Sequence, residues 1–415
     1  MSLIQWSASL LIGLYPVLSI VLHNAGNACL FLLLMVALCA LATRQQPESF
    51  AFNTYVKAYW PLLLAMASLL LSVLLNQMAS GHFVIKFYDR GLRLALFILT
   101  FWAVLFVPLR LLRWLPWSFA LGVILALAKA YWLSHGGDDR PSNIGFLSTI
   151  AYSNLAFLMG CLVLTSITCQ ARGQPWLSLF KMLIAFMGVY VTVMVKTRGS
   201  WLAIPFFLVF FLLASGMRSR AKWLITFLSI LSLSAAFFLS DSIQSRLDET
   251  HSDVTQYYRG QKDTSIGIRL QLWEASWRLF KTAPLFGIGR ENYPQAVATL
   301  AEQQIITPVA AAYAHSHNEL LFNMAISGIW GLLASLALYL VPGYYFGREL
   351  HHSNQEVRGV ARMGILVCLG FFVFGLTDLM FFWPVLTAFY SMSLAVFLAW
   401  IIQLKQALSV VAQPI

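Results

Sequence analysis

Residues 318–342 read NELLFNMAISGIWGLLASLALYLVP, a run of 25 residues in which Glu319 is the one charged side chain. A helix needs about 20 mostly apolar residues to cross the hydrocarbon core of a bilayer. This run therefore predicts a transmembrane helix, and it raises the question of how often the pattern recurs.

Eleven further apolar runs of comparable character are found along the chain. Together with residues 318–342 they predict twelve spans, at 7–23, 27–43, 59–76, 91–108, 115–134, 145–168, 176–196, 200–216, 222–240, 318–342, 358–380 and 383–404. The fold class expected from this pattern is an all-α integral membrane protein.

The composition agrees with a chain that is solvated mainly by lipid. Of the 415 residues, 60% are hydrophobic and 10% are charged, whereas a soluble domain has roughly 45–50% apolar and about 25% charged residues. This excludes a soluble enzyme, a disordered chain and a secreted disulfide scaffold. The 27 Lys and Arg exceed the 16 Asp and Glu, so the few charges that are present call for an explanation.

One long polar segment interrupts the apolar runs. Residues 241–317 hold seven Lys or Arg and eight Asp or Glu, and the segment is long enough to fold on its own account. The expected domain organisation is therefore transmembrane helices over 1–240, a loop domain over 241–317, and further transmembrane helices over 318–415.

Within this loop, an amphipathic helix is predicted by apolar side chains at spacings of three and four residues. Its predicted apolar face is formed by Ile266, Leu270, Trp273, Trp277 and Phe280, and the helix should end near Pro284. Two tryptophans on that face favour a helix lying at the membrane interface.

The distribution of Lys and Arg in short loops predicts the orientation of the chain. Placing both termini in the cytoplasm puts the following cations inside: Arg44, Lys57, Arg110, Arg113, Arg172, Arg218, Arg220, Lys222, Arg348, Arg358 and Arg362. The loop 241–317 then lies outside, because long loops cross the membrane largely regardless of charge.

Six cations remain on the outer side against this rule, namely Lys86, Arg90, Arg93, Arg140, Lys196 and Arg198. They either pair with Asp89, Asp138 and Asp139 or mark a site for an anionic ligand. Arg198 has no acid close to it in the sequence, which favours the ligand for that residue.

Arg198 lies in the segment Lys196-Thr197-Arg198-Gly199-Ser200, between two apolar runs. A guanidinium can bind phosphate oxygens through two parallel hydrogen bonds, and the neighbouring glycine permits a close approach of the ligand. The alternative is an arginine whose side chain reaches the membrane interface.

Two further arginines of the loop are candidates for anion binding. Arg269 follows Ser265 at the start of the predicted helix, where free N–H groups and the helix dipole attract anions. Arg290 follows the glycine turn Gly287-Ile288-Gly289. The alternative for Arg269 is a position at the edge of the polar face.

The segment His315-Ser316-His317-Asn318 stands where the loop re-enters the membrane. An imidazole has an unperturbed pKa near 6.5 and can accept a hydroxyl proton near neutral pH. A buried structural histidine and a metal ligand are the alternatives, and zinc would need a third ligand. No phosphate-binding loop of the Gly-x-x-x-x-Gly-Lys-Ser/Thr type is present, so an ATP-driven pump is excluded.

These motifs resemble the O-antigen ligase and O-antigen polymerase superfamily. The family motif is His, then Asn, Ser or Gln, nine residues, Gly, two residues, then Gly, Thr or Tyr. The chain has His317-Asn318, nine residues, Gly328, two residues and Gly331. An arginine followed by a glycine (198–199), a Gly-x-Arg with a later Trp (267–273) and Pro-x-x-Gly-x-Gly (284–289) occur in the family's order.

The resemblance implies a membrane glycosyltransferase of the GT-C type with about twelve helices and one large periplasmic loop. It implies that His317 is the general base and that Arg198 and Arg269 bind the diphosphate of the donor, with no metal and no cofactor. The remaining candidates for substrate binding are Arg90, Arg140, Lys196, Arg290, His315, Asn318 and Asp378; Asp378 would orient His317 or an arginine, or is an ordinary acid at a helix end.

The expected reaction is an inverting transfer of O-antigen from undecaprenyl diphosphate to lipid A-core, on the periplasmic side of the bacterial inner membrane. The single large loop favours a ligase over an O-antigen polymerase, and a protein O-oligosaccharyltransferase is a further alternative within the superfamily. A flippase for lipid-linked oligosaccharides is the alternative from another class, but it needs no folded loop with a histidine at its base. Membrane lipids are the other expected partners, and nucleic acid is not one.

Overall fold

The computed structural model describes residues 2–43, 51–137, 139, 141, 143–169, 174–214 and 241–411. The predicted span 222–240 lies outside these residues. So do the following charged side chains that the sequence analysis used: Arg44, Asp138, Arg140, Arg172, Arg218, Arg220 and Lys222.

The described part of the chain is almost entirely helical, with one two-residue β-hairpin of β1 (Asn143–Ile144) and β2 (Leu147–Ser148). The first eleven helices are α1 (Leu3–Val21), α2 (Ala25–Ala42), α3 (Phe52–Ser80), α4 (Tyr88–Ala95), α5 (Phe97–Val104), α6 (Leu109–Leu112), α7 (Leu115–Leu133), α8 (Thr149–Thr165), α9 (Pro175–Met194), α10 (Arg198–Trp201) and α11 (Ala203–Ala214). The remaining helices are α12 (Asp241–Tyr258), α13 (Ser265–Thr282), α14 (Tyr293–Glu302), α15 (Pro308–Ala311), α16 (Glu319–Gly347), α17 (Gln355–Gly375) and α18 (Pro384–Val411).

Nine helices of the described residues are long and apolar enough to cross a membrane. They coincide with the predicted spans one to three, five to seven and ten to twelve, which confirms an all-α membrane protein. In lipid, backbone N–H and C=O groups find hydrogen-bond partners only within their own helix. Apolar runs of this length therefore form continuous helices. The total of twelve spans stays a prediction.

The predicted fourth span, 91–108, is wrong as a continuous helix, because the chain leaves helical geometry at Leu96 between α4 and α5. Arg93 is buried in α4 and donates to Asp89, one turn earlier, with a nitrogen–oxygen distance of 2.7 Å. It also donates to Asn27 of α2 at 3.2 Å. Asp89 thus pairs with Arg93, and a charge that would be costly in lipid is satisfied inside the protein.

The predicted eighth span, 200–216, corresponds to the short helices α10 and α11 as far as the structure describes it. The main apolar core lies among the long helices, where α18 is buried along almost its whole length.

The loop 241–317 is folded: α13, α14 and α15 pack with the beginning of α16, and α12 packs on α13. A second apolar cluster joins them, and it includes Leu272 and Ala275 of α13, Tyr293 and Val297 of α14, and Phe322 of α16. The loop is thereby attached to the helix that the His317 motif begins.

The predicted amphipathic helix exists as α13 and ends before Pro284, and the face that packs against the protein is largely a different one from the predicted apolar face. The buried residues are Gly267, Ile268, Gln271, Leu272, Ala275, Ser276 and Leu279, whereas Trp277 is 48% exposed. Small residues allow α13 to approach its neighbours closely, and the Gln271 side chain bonds to Lys262 and Thr307 backbone groups. Trp277 is left exposed and Trp273 is partly buried, and a location of α13 at the membrane interface remains a prediction.

Candidate active site

His317 lies in the short connection between α15 and α16, and its conformation follows from how α16 begins. The Asn318 side chain caps α16 by accepting from the Leu321 N–H at 3.0 Å, and it donates to the Leu376 carbonyl at 3.2 Å. His317 has a φ of 52°, a left-handed conformation that is uncommon for residues other than glycine and often marks functional sites. The predicted substrate contact Asn318 thus has a structural function in this arrangement.

Asp378, just after α17, faces the His317 ring. Its Oδ1 lies 3.5 Å from His317 Nδ1, and the two side chains are 6% and 17% exposed. His317 Nδ1 is buried and makes no hydrogen bond within the described residues. A slight closure would let this nitrogen donate to the carboxylate, which would leave Nε2 free to accept a proton.

His315 lies beside His317, with their ring centroids 4.4 Å apart. Burial lowers the pKa of His315 to about 4, with the nearby His317 as a further cause. His315 is therefore neutral at pH 7, and its Nδ1 accepts a hydrogen bond from the His317 N–H at 3.3 Å. This contact helps to hold the unusual backbone conformation of His317.

The donor atoms of His315, His317 and Asp378 lie within 4.8 Å of one another. Two imidazoles and a carboxylate with an open fourth position form a donor set that zinc accepts in catalytic sites. The third ligand that a zinc site requires is thus supplied by Asp378, which follows α17 and is distant from the two histidines in the sequence. The absence of a metal from the reaction stays a prediction, and a chelator tests it.

Arg198 begins α10, in a segment attached to α8 by a buried polar network. Thr197 Oγ1 donates to Ser153 Oγ at 2.9 Å, and Ser200 Oγ donates to Asn154 at 2.6 Å. A side chain at Gly199 would meet Thr377 Oγ1 at 3.1 Å, so the segment lies against the residue that precedes Asp378. This contact places the segment that carries Arg198 against the segment that carries Asp378.

The Arg198 guanidinium has partners in the loop that the sequence analysis did not anticipate. It donates to Thr250 Oγ1 at 2.9 Å and lies 3.6 Å from both Glu249 and Asp253 of α12. The absence of an acid near Arg198 in the sequence was therefore a misleading signal. These acids are about 50 residues away along the chain, where only tertiary contacts place them.

Arg269 is the fifth residue of α13, and it is partly buried. The N-cap residue Thr264 accepts from the Gly267 N–H at 3.1 Å and donates to the Asp253 carbonyl at 3.5 Å. Asp253 thus contacts both Arg198 and the beginning of the helix that carries Arg269. Lys196, another candidate, has a left-handed φ of 55° at the end of α9.

Two candidate arginines of the outer side lie on one aromatic ring between α17 and α18. Arg90 and Arg290 have their guanidinium carbons 4.2 and 5.0 Å from the centroid of Phe382. Glu319 lines the same cavity, and the sequence analysis did not include it among the candidate site residues.

The glycine turn 287–289 has a structural function that explains two family motifs together. The Ile288 and Gly289 N–H groups donate to the Ala325 and Ile326 carbonyls at 3.0 Å each. They reach these carbonyls because α16 is broken at Gly328, which has φ 65° and ψ −150°. The turn is therefore a docking point for the loop on α16, and phosphate binding by its N–H groups is not the arrangement seen.

Substitution of Gly328 by alanine is expected to weaken the contact between the glycine turn 287–289 and α16. The new Cβ would lie 2.4 Å from the Leu285 carbonyl oxygen at a positive φ, and one such strained residue costs of the order of 1–3 kcal/mol. The thermal unfolding midpoint of the purified protein should fall. Gly343→Ala in the same helix is the matched control, because its Cβ would meet nothing within 4 Å; equal midpoints for both variants would contradict the docking function.

Comparison with known protein families finds a match over the part of the chain that contains the candidate site. Residues 182–336 match the family model described as O-antigen ligase, and this region contains Arg198, Arg269 and the whole His317–Gly331 motif. The chain is a member of the O-antigen ligase superfamily.

Relatives of this superfamily member include one of similar length. An uncharacterized protein of Haemophilus influenzae is 22% identical over 373 residues, which are 88% of this chain and 90% of the relative. An O-antigen ligase of Escherichia coli K12 is 24% identical over 226 residues, 53% of each chain. The match to the named ligase thus covers about half of that protein.

Proposed function

We propose that this superfamily member transfers a polysaccharide from undecaprenyl diphosphate to lipid A-core at the periplasmic face of the inner membrane. The observation that carries the proposal is the pair of His317 and Asp378, half-enclosed between the folded loop and the ends of two long helices. The similarity to an O-antigen ligase of Escherichia coli supports a ligase within the superfamily.

In the proposed reaction, His317 accepts the proton of an acceptor sugar hydroxyl through Nε2. The hydroxyl oxygen forms a bond to the anomeric carbon of the donor sugar, on the face opposite the diphosphate. The bond from that carbon to the diphosphate oxygen breaks, and its electron pair leaves with the diphosphate. A single displacement of this kind inverts the anomeric centre.

Asp378 acts on His317 in this scheme and does not touch the substrate. A carboxylate next to Nδ1 fixes the tautomer in which Nε2 is the acceptor, and it stabilises the imidazolium that forms. Arg198 and Arg269 stabilise the charge that develops on the leaving group. Since Arg198 already has Glu249 and Asp253 nearby, an anionic substrate would compete with these acids or displace them.

The proposal is tested with purified protein, a polysaccharide on undecaprenyl diphosphate and lipid A-core, with the products separated as a gel ladder. Transfer should occur without added metal and persist in EDTA. Joining of donor molecules to one another without lipid A-core would indicate a polymerase. Loss of transfer in EDTA and recovery with zinc would instead assign His315, His317 and Asp378 to a catalytic metal centre.

The proposed orientation places residues 241–317 in the periplasm and both termini in the cytoplasm. It is tested by single cysteines at two exposed positions, Tyr258 and Ser353, in a variant without the five native cysteines. An impermeant thiol reagent should label Tyr258→Cys and not Ser353→Cys in cells with a permeabilised outer membrane. The reverse labelling would contradict the orientation.

A further inference from the structure

Three segments that are distant in the sequence bring two arginines into contact with one shared aromatic ring. Arg90 comes from α4, Arg290 from the connection between α13 and α14, and Phe382 from the connection between α17 and α18. The guanidinium carbons lie 4.2 and 5.0 Å from the Phe382 ring centroid, which places them no more than 9.2 Å from each other. Such contacts between cations and a ring orient the guanidinium groups without using their N–H donors.

The two arginines have an excess of positive charge that the described residues do not neutralise. Neither guanidinium makes a hydrogen bond or an ion pair with any residue in the described part of the chain. Glu319 lines the same cavity and attracts both. Its carboxylate, however, already accepts from the Phe381 N–H at 3.0 Å and from Asn323 at 3.1 Å.

Asp89 also attracts Arg90, but its carboxylate accepts a hydrogen bond from Arg93 at 2.7 Å. Two partly buried cations whose neighbouring carboxylates are engaged in this way are an unfavourable arrangement without a further anion. Burial lowers the pKa of Arg290 to about 10, so it stays charged at neutral pH. The N–H edges of the two arginines thus remain available for a ligand with several negatively charged oxygens, and each guanidinium can bind two of them.

The arginine pair adjoins the proposed general base. The Phe382 ring lies 5.1 Å from the His315 ring, and the His315 ring lies 4.4 Å from the His317 ring, measured between centroids. A diphosphate on the two arginines would therefore lie close to the place where His317 accepts a proton.

We propose that Arg90 and Arg290 form the clamp that binds the diphosphate of the lipid-linked donor, with Phe382 setting their separation. The inference rests on the proposed function and deepens it, because it adds Arg90 and Arg290 to Arg198 and Arg269 as residues that contact the diphosphate. The acids that attract the clamp, Glu319 and Asp89, already accept hydrogen bonds from other groups.

The test measures binding of undecaprenyl diphosphate and of inorganic pyrophosphate to the purified protein in nanodiscs. Arg90→Ala and Arg290→Ala should each weaken binding of undecaprenyl diphosphate roughly ten- to hundred-fold, the loss expected for one charged hydrogen-bonding partner. Arg278→Ala is the matched control, because Arg278 is exposed on α13 and pairs with Glu274 at 2.7 Å. It should bind as the wild type does.

Two conservative variants keep the test informative if an alanine variant does not fold. Arg290→Lys retains the charge but cannot form the planar pair of hydrogen bonds, so binding should still weaken. Phe382→Leu retains both arginines and should weaken binding by a smaller factor, because their separation is no longer held. Wild-type affinity in both of these variants would overturn the clamp.

The outcomes separate the clamp from the function on which it rests. Transfer by the wild type together with unchanged affinity in the arginine variants would overturn the clamp and leave the proposed function standing. Failure of the wild type to bind undecaprenyl diphosphate would overturn both. Binding of inorganic pyrophosphate alone would show a site for a free anion and would overturn the assignment to a lipid-linked donor.

Discussion

His317→Ala is expected to lower the rate of polysaccharide transfer by roughly 10²–10⁴, while donor binding is retained. A sugar hydroxyl is a weak nucleophile at neutral pH, and a positioned general base contributes a factor of this size. The left-handed backbone at His317, the adjacent Asp378 and the Asn318 cap of α16 place this imidazole where the loop meets the membrane helices. The measurement compares transfer rates with donor affinities for the same preparations.

His315→Ala is the neighbouring comparison for this prediction, and we expect it to keep much of its activity. His315 accepts a hydrogen bond from the His317 backbone, so its loss should loosen the segment without removing the base. His351→Ala, in the turn after α16 at the other end of that helix, is a control for histidine removal. Near wild-type transfer by His317→Ala would show that the base is another group.

The second large effect is expected for Arg198→Ala and Arg269→Ala, each of which should reduce transfer by about 10²–10³ while the protein still inserts. Removing one donor that stabilises developing charge has this typical cost. Arg→Lys should restore little, because an ammonium cannot replace a planar guanidinium with two parallel hydrogen bonds.

The acids near Arg198 provide a control that separates catalysis from structure. If Arg198 served only to hold α12, then Glu249→Gln with Asp253→Asn should cause most of the loss seen in Arg198→Ala, since both ion pairs are removed and the hydrogen bond to Thr250 remains. If Arg198 acts on the substrate, this double variant should keep more activity than Arg198→Ala. Full transfer by both lysine variants, Arg198→Lys and Arg269→Lys, would assign these arginines a structural function.

Much of the candidate site could be located from sequence patterns, because its residues belong to short motifs with fixed spacing. The His317–Gly331 spacing reflects local geometry: an Asn318 cap, about two and a half turns of helix and the break at Gly328. The buried face of α13 could not be found in the same way. Both faces carry apolar side chains, and the small residues Ala275 and Ser276 decided which of them packs closely.

The sequence by itself determined the class of the protein, the positions of the nine long apolar helices that the structure describes, and the existence of a folded polar loop. Hydrophobic length alone suffices for this, since lipid leaves an apolar run no alternative to a helix. It also identified His317, Arg198 and Arg269 as candidates through their motifs.

Only the tertiary structure decided which charges face one another. It placed Asp378 beside His317, Glu249 and Asp253 beside Arg198, and a different pair of arginines around Phe382. These contacts join residues that are tens to hundreds of positions apart in the sequence, and the spacing of apolar residues does not reveal them. They arise because helices pack through their apolar faces, which brings the few remaining polar groups together wherever they can satisfy one another.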